Sequence, residues 1–432
     1  MVHDETFDII VVGGGPAGAS AAAFAARASL SVLLLEKDQF PRFHIGESLI
    51  PGVLPYLDEI GVGDSVRAAG FVEKYAAEFV TTDGAFHRRY VFGDSLTPEA
   101  GLAYQVERAA FDELLITHAR NSGARVQQAE RVHAVEQAPE SVSVVLKDVD
   151  GATRTVRGRL LIDASGQQSL VSAKLGLRTM DRELRNIAVF GHFSGVSRAQ
   201  GPAGGDITIV LDPEGWWWVI PLKDGITSLG FVAPRAAFGA RPDAAWLERR
   251  LTQTPVLAER CRTLCQVNEV RVASDYSYRS SKLVGDRWLL AGDAAAFLDP
   301  VFSTGVFLGV CSAVRAARAA VVALSDWSSS QQTLKEYEAW LGNKLALYGE
   351  LVKGFYQPEF VELLMHPTDN MQLRQAVTSA LAGYADHTEV SWRLRAFLNA
   401  VRANKDLVLC PRLPNRREAF QRLSVLANET GE

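Results

Sequence analysis

The segment that most constrains the fold is Phe7-Asp8-Ile9-Ile10-Val11-Val12-Gly13-Gly14-Gly15-Pro16-Ala17-Gly18. Its β-branched apolar run is the pattern of a buried parallel strand. Gly13, Gly15 and Gly18 satisfy G-x-G-x-x-G, and the alanine-rich stretch from Ala19 to Ala28 predicts a helix. The glycines permit a tight turn and let backbone N–H groups and the N-terminus of the helix meet a pyrophosphate. A second strand over Val32–Leu35 leads into Glu36-Lys37, and Glu36 lies 23 residues after Gly13. At that distance an acidic side chain accepts hydrogen bonds from the adenosine ribose. A lone glycine fingerprint is weak evidence; strand, turn, helix and acid together predict a dinucleotide site. Gly61-Val62-Gly63 lacks a third glycine, and Gly201 to Gly205 lies in a polar stretch, so neither competes.

Two further strand-to-turn elements decide which dinucleotide. Leu160-Leu161-Ile162-Asp163-Ala164-Ser165-Gly166 is one, and Trp288-Leu289-Leu290-Ala291-Gly292-Asp293 before a long helix is the other. A terminal aspartate such as Asp293 is placed to hold a sugar-alcohol chain, and the next helix aims its N-terminus at a flavin or phosphate. One mononucleotide fold with cofactor elements returning at Asp163 and Asp293 is the pattern of FAD-containing monooxygenases. FAD is therefore expected, and not NAD.

Composition bounds the rest. A chain of 432 residues is long enough for two or three structural units. With 47% hydrophobic and 22% charged residues it reads as an ordinary globular protein. A net charge of -5 without a basic run argues against a nucleic-acid partner. The acidic start, Met1 to Phe7, runs into a strand with no secretory pattern, so a cytoplasmic location is expected. The apolar stretch from Val301 to Leu324 is interrupted by Arg315 and Arg318 and reads as a buried helix. Cys261, Cys265, Cys311 and Cys410 fit neither a disulfide framework nor a metal site, and read as packing residues in a reducing compartment.

Gly215-Trp216-Trp217-Trp218-Val219-Ile220-Pro221 holds three of the eight tryptophans. On a strand Trp216 and Trp218 share one face and Trp217 takes the other. Two such rings either fill a core or wall off a cavity.

With these elements in place the chain resembles the flavin-dependent halogenases of the p-hydroxybenzoate-hydroxylase-like FAD monooxygenases, from about Phe7 to about Tyr348. Two motifs carry the resemblance: the glycine turn, and W-x-W-x-I-P at Trp216, Trp218, Ile220 and Pro221. Pro41-Arg42-Phe43-His44-Ile45-Gly46-Glu47-Ser48-Leu49, Gln105 to Arg108 with Phe111-Asp112, Asp275 to Tyr278 and Asp299 to Gly305 complete it. It implies an α/β protein with three parts. A Rossmann-like FAD-binding domain of GR2 type is split over residues 1–74, 102–174 and 282–347. An antiparallel β-sheet substrate domain spans 75–101 and 175–281, and a helical region, 348–432, covers the substrate side. Strands of that sheet are expected at Ala77 to Val91, Ile187 to Ser194, Ile207 to Leu211, Gly215 to Pro221 and Thr227 to Ala233.

The resemblance also implies chemistry. Reduced FAD reacts with oxygen to give a C4a-hydroperoxide, and chloride or bromide attacks it to form hypohalous acid. The tryptophan wall keeps an organic substrate from the flavin, and Lys74 relays the oxidant to that substrate. Cofactor contacts fall on Gly13, Gly15, Pro16, Ala17, Gly18, Glu36, Lys37, Arg42, Ile45, Ser48, Arg108, Asp163, Gly166, Gly292, Asp293, Pro300, Gly305 and Val306. Halide falls at the amides of Thr304 and Gly305, where a helix begins. Metal ligands are not expected.

Departures refine the picture. Ser172 stands where flavin hydroxylases that bind NADPH carry arginine, so a separate flavin reductase is expected. Phe302 stands where free-tryptophan halogenases carry glutamate, which favours a phenol or pyrrole substrate, free or tethered to a carrier protein. Ala76 stands where many relatives have glycine. The alternative function is an FAD-dependent hydroxylase acting on an aromatic group of a peptide or carrier-bound substrate without halide. A flavin-binding interaction protein without turnover is a third.

Overall fold

Thr6–Val12 lies at the centre of a seven-stranded sheet in which Arg125–Gln127, Val32–Leu35, Thr6–Val12 and Thr153–Asp163 follow one another in parallel. Trp288–Leu290 joins the far end of Thr153–Asp163, again parallel. The other half of that long strand turns antiparallel onto Ser141–Lys147, which pairs with Arg131–Ala138. The cofactor-type turns after residues 12, 35, 163 and 290 thus open at one edge, the carboxyl end of the parallel strands, where ligands bind in open α/β sheets. The computed structural model describes residues 6–403, apart from 98, 100, 148–150, 152, 240, 275, 329 and 367–371. Asp275, Cys410 and the stretch 404–432 of the expected helical region lie outside the described residues.

Helix Pro16–Arg27 follows the glycine turn and packs along helix Gly305–Ser325. A Cβ at Gly292 would sit 3.2 Å from the methyl of Ala17, and one at Gly309 would sit 3.7 Å from it. Small residues at these three positions let the two helices and the 292 turn converge. Gly305–Ser325 is apolar and long enough to cross a membrane on composition alone, yet 72% of its most apolar window is buried inside the protein. It is a core helix, as the arginines within it imply.

The second sheet runs Cys265–Gln266, Asn186–Ser194, Thr227–Pro234, Trp216–Pro221, Ile207–Leu211, Ala76–Thr81, His87–Val91, with Arg271–Ser274 also pairing Asn186–Ser194. Its pairs are antiparallel except one, Ile207–Leu211 beside Ala76–Thr81, which is parallel. The single strand expected from Ala77 to Val91 is a hairpin, broken where the Thr81 hydroxyl donates to Asp83 at 2.6 Å. Short polar side chains bonding their neighbours in this way close a tight turn.

Alternation along Trp216–Pro221 sorts the tryptophans as expected. Trp216 and Trp218 face the large core shared with the flavin sheet and the C-terminal helices. Trp217 faces a second core, packed on Phe231 at 4.9 Å beneath helices Ala244–Thr252 and Pro255–Arg260. Across the ladder Trp218 pairs with Gly230, where a Cβ would come within 2.2 Å of the indole. Only a bare backbone lets the ring lie there. Gly230→Ala should therefore lower stability by about 1–3 kcal/mol, as overpacking does, read as a fall in urea midpoint with unchanged slope.

Candidate active site

The residues around the glycine turn fit FAD. Gly13 has φ +101°, and a Cβ there would stand 2.2 Å from the Ala164 carbonyl oxygen. At Gly18 a Cβ would stand 1.8 Å from the Gly13 oxygen. These contacts leave no room for side chains, so only glycine lets the chain turn this tightly into the helix. Gly166 and Gly305 by contrast face open space, with no atom within 4 Å of a Cβ position. A narrow turn beside open backbone is the cradle that a large dinucleotide needs. Glu36 is buried and pinned at that turn, accepting from Gly14 N at 2.5 Å and Asp38 N at 2.8 Å. Lys37 is exposed beside Asp38.

Two arginines meet one carboxylate. The fully buried Asp112 accepts from Arg108 at 2.7 and 2.8 Å and from Arg42 at 3.1 Å. Arg108, itself buried, also donates to the carbonyl of Ile45 at 2.7 Å, and so locks the 42–46 loop to helix Arg108–Asn121. Its guanidinium lies 3.1 Å from the Cβ position of Gly46, and Val306 lies 3.9 Å from the same position. Arg42 reaches the glycine turn, 3.6 Å from the Cβ position of Gly15. A half-buried guanidinium there can take a phosphate bidentately. The sequence pointed to both arginines; the clamp that Asp112 makes of them is a tertiary finding.

Asp163 accepts from Ser165 N at 3.0 Å and Val171 N at 2.8 Å, and so braces its own turn. Asp293 keeps part of its surface open, yet burial pushes its carboxyl up to about 7 against the pull of Arg108. Beyond it Pro300, Thr304 and Gly305 lead into helix Gly305–Ser325, with Thr304 buried and Gly305 exposed at its mouth. His44 is exposed at the loop edge, against the Ile45 carbonyl.

Trp216 and Trp218 stand 6.0 Å apart with Ile220 and Pro221 buried after them on the same strand. Trp218 donates to Ser228 Oγ at 3.1 Å, and Trp216 donates to the hydroxyl of Tyr356 at 2.9 Å. Asn186 Nδ2 bridges Tyr356 and the buried Asp299, at 2.9 Å to each, and Tyr356 also bonds Asp299. This network ties the wall to the 299–304 turn and to helix Ser330–Phe355. Phe302 packs on Phe355 at 5.7 Å and on Phe360 at 6.4 Å, and Phe360 on Phe397 at 5.1 Å. The apolar cavity among them measures only about 10 Å³, the space of one water.

Lys74 is a buried cationic side chain. It is 1% exposed at the end of the short strand Val72–Lys74 and lies 5.3 Å from the ring of Phe92. Its ammonium donates to Ser48 Oγ and to the Leu49 carbonyl, each at 2.9 Å. The cofactor loop and Lys74 are thus in direct contact. Burial pushes the amine down to about 7, since a low dielectric disfavours the cation. Between Gly46 and Ser48, the buried Glu47 bonds His192 at 2.7 Å, a pair the sequence did not single out because its halves lie far apart in the chain.

Geometry and kinship agree. The FAD binding domain family matches residues 6–340, so the chain is an FAD-dependent enzyme. It is 31% identical over 93% of its length, and 98% of the other's, to the 1H-pyrrole-2-carbonyl-[peptidyl-carrier protein] brominase of Pseudoalteromonas luteoviolacea. The corresponding chlorinase of Pseudomonas fluorescens is 28% identical over 87% of this chain and 90% of that protein. The solved structure of the flavin-dependent brominase Bmp2 superposes with a TM-score of 0.83 at 28% identity, covering 92% of this chain and 98% of that one. The myxobacterial chondrochloren halogenase CndH gives 0.78 at 31% identity, covering 94% and 98%. The chain belongs to the flavin-dependent halogenase family.

The Asp299 network carries a pH signature. Burial raises the Asp299 carboxyl to about 6. Folding therefore favours the protonated form: the contribution is whole below about pH 4 and is lost as pH rises through about 6. Urea denaturation should show wild type losing roughly 3 kcal/mol relative to Asp299→Asn between pH 4 and pH 7. A difference that does not vary with pH would contradict the raised carboxyl.

Proposed function

We propose that this halogenase acts on a pyrrole- or phenol-type ring tethered to a carrier protein, and that the oxidant reaches the ring through Lys74. The observation that carries the reading is Lys74 itself: a buried amine, bonded to Ser48 of the cofactor loop, with its charge poised near neutral pH. Bound reduced FAD with dioxygen supplies the oxidising power that converts halide to hypohalous acid. The chain does the rest. Amides at Thr304 and Gly305, at the start of a 21-residue helix, favour a halide. Trp216 and Trp218, held by Tyr356 and Ser228, keep the organic ring from the flavin. Near its pKa, Lys74 can donate a hydrogen bond to the oxidant as a cation or accept halogen as a free amine.

Two observations support the substrate class. Relatives matched along nearly their whole length are named for pyrrole-2-carbonyl groups on a peptidyl carrier protein. Phe302 packs in an aromatic cluster with Phe355 and Phe360 and offers no carboxylate at that position. The reductase is inferred from Ser172, which is buried and bonded to Ser280 Oγ at 2.7 Å where flavin hydroxylases that bind NADPH carry arginine. The reaction then runs in the cytoplasm on flavin reduced elsewhere.

The test supplies reductase, NADH, bromide and a carrier-bound pyrrolyl or phenolic thioester. Lys74→Ala should cut brominated product by at least about 100-fold, while FAD binding and bromide-dependent release of hypobromous acid persist. Oxygen incorporation into the ring with no halide requirement would overturn halogenation of this substrate.

A further inference from the structure

We propose that Asp206 is the positioning residue of Lys74: it fixes the chain that carries the amine and supplies the carboxylate that balances its charge. Asp206 Oδ1 accepts from the backbone N–H of both Tyr75 and Ala76, at 2.9 and 2.8 Å, the two residues that follow Lys74. Its Oδ2 pairs with Arg89 at 2.7 Å, and the carboxylate is almost wholly buried. The neighbouring Gly205 presses on the same segment, where a Cβ would stand 1.9 Å from the Glu73 oxygen. Gln105, on the strand paired with Val72–Lys74, holds the Gly205 carbonyl at 3.0 Å. The chain from 73 to 76, between strands Val72–Lys74 and Ala76–Thr81, is therefore held on both sides of the residue that carries the amine.

The electrostatic part follows from what else surrounds the amine. Its direct partners, Ser48, Leu49 and the Phe92 ring, are uncharged. Among the described residues on elements packed against it, Glu73 is exposed and bonds Tyr75, and Asp94 is exposed. Glu47 is held by His192, and Glu78 by Thr208 and His87. Tyr90 donates to the Leu364 carbonyl, and Tyr104 lies buried as a neutral phenol. Arg89 pairs with the same Asp206 carboxylate. Asp206 is the carboxylate that opposes burial at Lys74.

Two substitutions then act in opposite directions. Asp206→Asn keeps an oxygen for the two N–H groups but removes the charge, so Lys74 should lose its proton at lower pH. Arg89→Met removes the cation that offsets Asp206, so Lys74 should hold its proton to higher pH. In protein without flavin, labelled with ¹³C at lysine Cε, the Lys74 resonance is assigned by its absence from Lys74→Met. Its midpoint should fall by about half a pH unit or more in Asp206→Asn and rise in Arg89→Met. Damage to packing alone would not produce opposite signs. In the bromination assay, product formed per oxygen consumed should fall severalfold in Asp206→Asn, with hypobromous acid escaping instead. Midpoints that stay at the wild-type value, or move together, overturn the assignment. Should Asp206→Asn fail to fold, Arg89→Met decides alone, and an unmoved or lowered midpoint refutes it. The catalytic consequence rests on the relay reading of Lys74. Bromination surviving in Lys74→Met would refute that reading and leave the titration result standing.

Discussion

The close passage of the Gly13 backbone over the Ala164 carbonyl is the contact on which the rest of the site depends. At this point two parallel strands end side by side, and a Cβ at position 13 would overlap the carbonyl at 2.2 Å. Because the chains can touch there, helix Pro16–Arg27 starts directly above the strand ends and packs on Gly305–Ser325. That helix pair brings the 292–305 segment back to the same edge. The phosphate-type turn, the Asp293 carboxyl and the Thr304-Gly305 amides therefore converge, although nearly 300 residues separate the first from the last.

Charge is managed at the site by pairing on one side and by burial on the other. Arg42 and Arg108 share Asp112, so two cations stand near the cofactor turn with one carboxylate between them. Removing a partner from such a buried group costs far more than a surface pair is worth. Among the described residues, the hydrogen-bond partners of the Lys74 ammonium are Ser48 and the Leu49 carbonyl, both uncharged. Its nearest compensation acts from Asp206, which is bonded to the next two residues. Desolvation wins at that distance, and the amine is held close to neutral pH.

Much of the fold could be read directly. The strand at Thr6–Val12, the glycine turn, the acid at Glu36 and the alternation of Trp216, Trp217 and Trp218 are local patterns, and the structure repeats them nearly residue for residue. Where the reading went astray, a short-range side-chain bond intervened, as at Thr81-Asp83, where one expected strand becomes a hairpin. The parallel join of Ile207–Leu211 to Ala76–Thr81 was hidden because parallel and antiparallel edges share the same alternation. Gly230 gave no signal either: a glycine inside a strand shows its purpose only when the Trp218 ring is seen lying across it.

The sequence by itself determined the cofactor class, the family and which side chains carry its hallmarks, because these depend on spacing within short segments. Lys74, Ser48 and the tryptophans were all legible in that sense. Only the tertiary structure decided what those residues touch. It brought Asp206 to the backbone beside Lys74 across 131 residues, Tyr356 to Trp216 across 140, and His192 to Glu47 across 145. Such pairings leave no trace in local pattern, since either partner alone is an ordinary residue on an ordinary strand or helix. Their energies, and the shifted amine they leave at Lys74, exist only once folding has removed the water between them.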